Sequence, residues 1–298
     1  MLPGGASGVQ VMTALIELVE QCSARLAAAG VSFGHGTTCA RDEAAWLVLW
    51  RLQLPLDDLD GVALRVLSAD EVARVQALVD ERIATRRPAA YLTGEAWLQG
   101  VPFSVDERAI VPRSLIAEVL AEGLIDAWLG REPARVLDLC TGNGSLAVLA
   151  AMAWPEARVD AADLSAQALE VARLNVERHG LGTRIALFQG DGLAAVPGRR
   201  YDLILCNPPY VNAGSMAALP AEYRAEPALA LAGGADGMDF IRPLLAHAAA
   251  ALAPAGALVL EIGHERAHFE RAFPQAQPVW LPCSAGDDQV LLLTQEAL

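Results

Sequence analysis

The sequence predicts an α/β protein in which a small helical domain precedes a doubly wound, mostly parallel sheet. Two observations carry this expectation. From Arg135 onward, short apolar runs alternate with helical stretches, the pattern of successive β-α-β units. Before about Arg87 the apolar residues recur at helical spacing instead, and turn signals separate at least three such segments. A length of 298 residues suits two modest domains, since single domains usually run to roughly 100 to 200 residues.

The helical part begins near Val9, and its third segment carries Val72, Val75, Leu78, Val79 and Ile83 on one face. Ser68-Ala69-Asp70-Glu71 opens that segment as a capping box, in which Ser68 and Glu71 satisfy each other's free backbone donors. After Trp97 the period shortens: Val101, Phe103 and Val105 alternate behind Gly100, which predicts a short hairpin ending near Asp106. The expected domains are therefore residues 1–95, helical; 96–113, a β-hairpin linker; and 114–298, the sheet. Within the last, strands are expected at 135–139, 158–162, 184–188, 203–206 and 257–262. Two more, at 277–281 and 289–293, flank a short loop with Gly286-Asp287-Asp288 and should pair antiparallel.

Composition narrows the function classes. Hydrophobic residues make up 54% and charged residues 19%, which argues against disorder. Lys and Arg total 22 against 36 Asp and Glu, a formal charge of -14, so most of the surface would repel a phosphate backbone. Direct binding of nucleic acid is disfavoured, although Arg82, Arg86 and Arg87 form a local basic patch in the sequence. Five widely spaced cysteines (Cys22, Cys39, Cys140, Cys206, Cys283) include no C-x-x-C, so they read as buried thiols in a reducing compartment. The start, Met1-Leu2-Pro3-Gly4-Gly5, lacks signal-peptide character, and no apolar run reaches the roughly 18 residues of a membrane span. The expected location is the cytoplasm, with no membrane partner.

The run Val136-Leu137-Asp138-Leu139-Cys140-Thr141-Gly142-Asn143-Gly144-Ser145-Leu146-Ala147 reads as strand, glycine turn and helix start. Free backbone N–H groups and a helix dipole meet a ligand in such a turn. Gly142, Gly144 and Ala147 also satisfy the dinucleotide pattern G-x-G-x-x-A, and Asp163 follows at the ~20-residue distance of a ribose-binding carboxylate. Asp191, in Gln189-Gly190-Asp191-Gly192, stands just after the third strand, where it can accept from an adenine amino group. These residues alone fit a nicotinamide cofactor as well as a methyl donor.

Asn207-Pro208-Pro209-Tyr210 separates the two. It follows the fourth strand, at the carboxyl edge of the sheet where α/β folds bind ligands. Two prolines fix their φ angles and carry no N–H, so the loop is stiff and offers acceptors. The Asn207 side-chain oxygen and the Pro208 carbonyl can together accept from a planar NH2 group, with Tyr210 packing on its face. An amide or aromatic amine nitrogen is a poor nucleophile because its lone pair is delocalised into the adjacent π-system. Drawing on its hydrogens and holding it in line with a methyl donor answers that weakness without a metal.

The order D-x-C-T-G-x-G, Asp163, Asp191 and N-P-P-Y resembles the methyltransferases that modify amino or amide nitrogens. Gly100-Val101-Pro102-Phe103-Ser104-Val105-Asp106-Glu107-Arg108 and Val111-Pro112-Arg113-Ser114 look like the linker of protein-(glutamine-N(5)) methyltransferases. So do Leu219-Pro220-Ala221-Glu222-Tyr223-Arg224-Ala225-Glu226-Pro227 and the stretch from Gly233 to Gly237, and the likeness covers roughly residues 85 to 295. One branch of that family methylates release factors and usually carries P-R-P-E-T-E; the other methylates the third protein of the large ribosomal subunit and carries P-R-S. Pro112-Arg113-Ser114 matches the second.

The resemblance implies a seven-stranded Rossmann-like class I methyltransferase sheet and S-adenosylmethionine as cofactor. Asp138, Thr141, Gly142, Asn143, Gly144, Asp163, Leu164, Asp191, Gly192 and Asn207 would border that cofactor. Phe103, Asn207, Pro208, Pro209 and Tyr210 would enclose a target glutamine, with Asn207, Pro208 and Tyr210 catalytic. The helical domain would recognise the ribosomal protein. Relatives often carry an aromatic after the aspartate matching Asp191; Gly192 stands here, so a stacking role does not carry over to it.

His264-Glu265-Arg266-Ala267-His268 satisfies H-E-x-x-H, the zinc-protease signature. The apolar run before it reads as a strand ending in a turn, which leaves His264 at a helix start rather than inside a helix, so no metal is expected and both histidines read as exposed. Three further readings stay open beside the leading one. They are methylation of a release-factor glutamine, amino-methylation of a nucleic-acid base, and an assembly factor that binds the ribosomal protein without turnover.

Overall fold

A computed structural model describes residues 13–298; the readings of Met1 to Gly5 and of a helix beginning near Val9 lie outside them. The chain divides after Thr93 into two compact units.

The first unit contains β1 (Thr13–Ala14), α1 (Leu15–Ala28), α2 (Ala40–Arg51), α3 (Leu59–Val62), β2 (Val66–Leu67), α4 (Ala69–Thr85) and α5 (Ala89–Thr93). Leu15, Leu18, Leu47, Val48, Val75 and Val79 form its core. The expected capping box starts α4: the Glu71 amide donates to Ser68 Oγ at 3.2 Å and the Ser68 amide to Glu71 Oε2 at 2.9 Å. The basic patch does not form. Arg82 is 0% exposed and donates to Glu43 at 2.8 Å, while Arg86 donates to the carbonyls of Gly30 and Ala29 at the end of α1. A guanidinium inside a small core must find acceptors, as Arg82 does, while Arg86 lies half-buried against the end of α1.

The second unit, Gly94–Leu298, starts with the hairpin. Strands β3 (Glu95–Leu98) and β4 (Val101–Ser104) pair antiparallel across Gln99 and Gly100, both at positive φ, as a two-residue hairpin turn requires. There follow α6 (Ile116–Ala121), α7 (Asp126–Leu129), β5 (Arg135–Leu139), α8 (Ser145–Ala153), β6 (Arg158–Asp163), α9 (Ala166–Arg178) and β7 (Ile185–Gln189). The chain closes with β8 (Tyr201–Cys206), α10 (Ala213–Ala218), α11 (Ile241–Ala251), β9 (Leu252–Glu261), α12 (Arg266–Ala272), β10 (Val279–Cys283) and β11 (Gly286–Thr294).

Seven strands form one sheet in the order β10-β11-β9-β8-β5-β6-β7. From β9 to β7 neighbours are parallel, and β11 is antiparallel to both of its neighbours. Both faces are buried, as a parallel sheet demands. Val136, Leu203 and Leu205 face one core with α6 and α8; Leu137, Leu139, Ile204 and Cys206 face the other with α11 and α12. Each expected strand is present within a few residues. The last turn sits at residues 284 and 285, because Gly286 already pairs with Cys283 and its aspartates run on as strand.

The cysteine reading needs correction. Cys22 and Cys206 are buried and Cys140 and Cys283 half-buried, but Cys39 is exposed, at the surface entry to α2. Because β5 pairs with β6 on one side and β8 on the other, chain order reverses between β5 and β8. A crevice opens there at the carboxyl ends of the strands, the usual ligand position in such sheets.

Candidate functional site

Asp138, the fourth residue of β5, is fully buried. Its Oδ2 accepts from the Thr141 hydroxyl and from the Ala147 amide at 3.0 Å, whereas Oδ1 has no partner among the described residues. Burial pushes its pKa up to about 7 against those two donors. Cys140, Gly142 and Gly144 all take positive φ, so the backbone turns sharply before α8. At Gly144 a side chain would also meet the Ala172 Cβ of α9 at 3.1 Å, which is why glycine stands there.

Asn143 is buried, and its Oδ1 accepts from the Ser145 amide. Asn175, fully buried on α9, donates from Nδ2 to the Asn143 carbonyl and to the Ser104 carbonyl, and its Oδ1 accepts from the Ser104 amide at 2.7 Å. One amide thus joins hairpin to glycine turn. No sequence motif marks it, although a polar residue on the apolar face of α9 was a signal.

At the end of β6, Asp163 accepts from the Gly142 amide at 2.9 Å and the Ser165 amide at 2.8 Å. Each carboxylate oxygen keeps a lone pair free of these bonds, and burial raises the pKa. Gly142, Asp163, Leu164, Asp191, Gly192, Asn207 and Pro209 line a single cavity of about 790 Å3, part of it open to solvent. Seven of the expected site residues therefore converge. Asp138, Thr141, Asn143, Gly144, Pro208 and Tyr210 support the lining without forming it.

The Asn207 side chain makes no hydrogen bond among the described residues, and the Pro208 carbonyl accepts none. Tyr210 turns away from the cavity: its hydroxyl donates to Glu261 at 3.1 Å and its ring lies against Gly263. Burial and the nearby Glu261 carboxylate hold that hydroxyl well above its usual pKa. The expected packing of Tyr210 on a planar substrate group is not the arrangement found.

Phe103 is another difference. It is 0% exposed, in the core with α6 and α8, its ring 5.5 Å from that of His179. Its place on β4 faces it inward, so it does not reach the cavity lining. Conversely, Arg108, Ile110, Leu229 and Phe240 do line the cavity and were not expected. Phe240 opens α11 beside Gly192, where a side chain at 192 would meet its ring at 3.5 Å. The missing aromatic after Asp191 was the available signal for a ring supplied from elsewhere.

His264 lies outside α12, and Glu265 accepts from Asn212 at 2.6 Å and from the His268 ring. The H-E-x-x-H run is therefore not a helical ligand pair. His264 is exposed as expected, while His268 is half-buried on Glu265.

Comparison with known proteins agrees with this arrangement. The Methyltransferase small domain model matches residues 117–222 and the PrmC N-terminal domain model residues 17–94. A ribosomal protein uL3 glutamine methyltransferase of Bordetella pertussis is 56% identical over 97% of both chains. Those of Burkholderia pseudomallei and Neisseria gonorrhoeae are 52% identical over 93% of both chains and 46% identical over 97% of both. Among solved structures, the hMettl16 catalytic domain in complex with a MAT2A 3'UTR hairpin aligns over 78% of this chain and 83% of its own, with a TM-score of 0.51 at 14% identity, a likeness of fold alone. With identity this high running nearly end to end, the chain belongs to the ribosomal protein uL3 glutamine methyltransferase family.

Proposed function

We propose that the protein transfers a methyl group from S-adenosylmethionine to the side-chain amide nitrogen of a glutamine in ribosomal protein uL3. The observation that carries this reading is Asn207: a cavity-lining side-chain amide that, among the described residues, has no partner, beside a proline carbonyl that likewise accepts no bond from them. The names of relatives at 46 to 56% identity support the acceptor. No specific feature favours a release factor or a nucleic-acid base.

The lining suits the cofactor. Its polar groups include the carboxylates of Asp163 and Asp191, which match a ligand rich in hydroxyl and amino donors and cationic at sulfur. Asp163 would hold the ribose diol, Asp191 the adenine amino group, and Leu164 and Phe240 the apolar ring faces. When bound, the cofactor supplies an electrophilic methyl group. Asn207 Oδ1 and the Pro208 carbonyl would accept both hydrogens of the glutamine NH2, raising electron density at nitrogen and fixing its direction. The nitrogen loses one proton to solvent as its bond to carbon forms.

The helical unit, matched by the PrmC N-terminal domain model, is the part we assign to recognition of the ribosomal protein. We assign the enzyme to the cytoplasm on the strength of its proposed ribosomal-protein substrate; no described helix is long and apolar enough to cross a membrane. Incubation with labelled methyl donor and uL3, followed by fragment mass spectrometry, should place one methyl on a glutamine. Asn207→Ala should lower kcat by roughly 100-fold or more while cofactor binding persists. Label on another residue type, or none, would overturn the reading.

A further inference from the structure

Glu261, the last residue of β9, is a buried carboxylate with no cation bonded to it among the described residues; its two oxygens serve two different segments. Oε2 accepts from the Ser114 hydroxyl at 2.6 Å and the Leu115 amide at 2.9 Å. Oε1 accepts from the Tyr210 hydroxyl at 3.1 Å. Ser114 is itself 6% exposed, so water does not compete for this link.

The residues on either side are fixed independently. Arg113 grips Glu226 with two bonds of 2.6 and 2.7 Å, and the Val111 amide donates to the same carboxylate at 2.9 Å. On the loop side, Tyr210 is enclosed by glycine backbone. A Cβ at Gly263 would lie 2.6 Å from its ring, and Cβ atoms at Gly233 and Gly237 would lie 2.7 and 2.3 Å from its main chain. The Tyr210 hydroxyl therefore has one well-defined partner, and that partner is held by Ser114.

We propose that Ser114, acting through Glu261, is a positioning residue that fixes Tyr210 and through it the direction of the Asn207 side chain and the Pro208 carbonyl. Losing the hydroxyl leaves Glu261 with one donor fewer on Oε2 inside the core. The carboxylate then relaxes, and the loop follows because Tyr210 and Asn207 are joined by two stiff prolines. The inference rests on the methyl-transfer reading above.

The experiment compares wild type with Ser114→Ala and Ser114→Thr, the latter restoring a hydroxyl. With uL3 as substrate, Ser114→Ala should lower kcat roughly tenfold, leave KM for S-adenosylmethionine within about twofold, and recover in Ser114→Thr. A second readout is independent of turnover: fluorine NMR of protein carrying 3-fluorotyrosine, which has four tyrosine positions. The Tyr210 resonance, assigned with Tyr210→Phe, should shift in Ser114→Ala, hold in Ser114→Thr, and leave the other three unmoved. An unshifted Tyr210 resonance, or equal kcat in wild type and Ser114→Ala, overturns the proposal. A Tyr210 resonance that shifts in Ser114→Ala, when the wild-type protein methylates nothing, keeps the positioning role and defeats the function reading instead.

Discussion

The helical unit and the sheet unit each hold a buried ion pair, Arg82 with Glu43 and Arg113 with Glu226, but the sheet unit also buries three acids that have no cation bonded to them among the described residues. In the helical unit Arg82 and Glu43 meet at 2.8 Å, the Thr37 hydroxyl donates to Glu43, and the Ser32 carbonyl accepts from Arg82. Burial still raises the Glu43 pKa, and Arg82 offsets part of that. In the sheet unit Asp138, Asp163 and Glu261 receive only neutral donors, and burial raises all three. A closed pair holds helices together. Buried acids without a cation, one of them, Asp163, lining the crevice, instead suit a donor-rich, cationic ligand.

Arg82→Ala should have the largest effect, since breaking one side of a buried pair costs about 3 to 5 kcal/mol. Denaturant melts should show that loss, while the folded fraction binds S-adenosylmethionine normally. Replacing Arg82 and Glu43 together by Met and Leu should recover most of it. A single variant as stable as wild type would erase the distinction between the units.

Asp138 gives the next effect, through pH. Its folded pKa, about 7, is raised above the unfolded value, so its contribution to stability is full below roughly pH 4 and lost as pH rises through about 7. The loss is on the order of 4 kcal/mol at most. Plotted against pH, the stability of wild type relative to Asp138→Asn should therefore fall across that window. A flat difference would mean that Asp138 is not held protonated.

Asp163→Asn should be the smallest of the three in energy and the most selective. A hydrogen bond to a charged group contributes about 1.5 to 3 kcal/mol, so calorimetry should find S-adenosylmethionine binding weakened roughly tenfold to hundredfold, with the melting midpoint nearly unchanged. Loss of stability with affinity intact would move Asp163 into the same class as Glu43.

The strands were legible because each apolar run is bounded by turn residues, and the Ser68 box marked the start of α4 by chemistry alone. The crevice was legible where the motif residues are the lining: Asp163, Asp191 and Asn207. Burial direction was not. Arg82, Arg86 and Phe103 carry no local mark of which way they face, since that depends on partners such as Glu43, distant by 39 positions, or on which side of a hairpin meets the sheet. Phe240 was hidden for a related reason, being brought to Gly192 only by the packing of α11.

Asn175 limits what this fold can vary. Its amide receives one bond and gives two, to segments 71 and 32 positions away. Aspartate has no hydrogens to give, glutamine is a methylene too long, and leucine offers nothing polar. Position 175 is thus closed to gradual drift: whatever else varies in the hairpin and the glycine turn, their junction depends on this one amide.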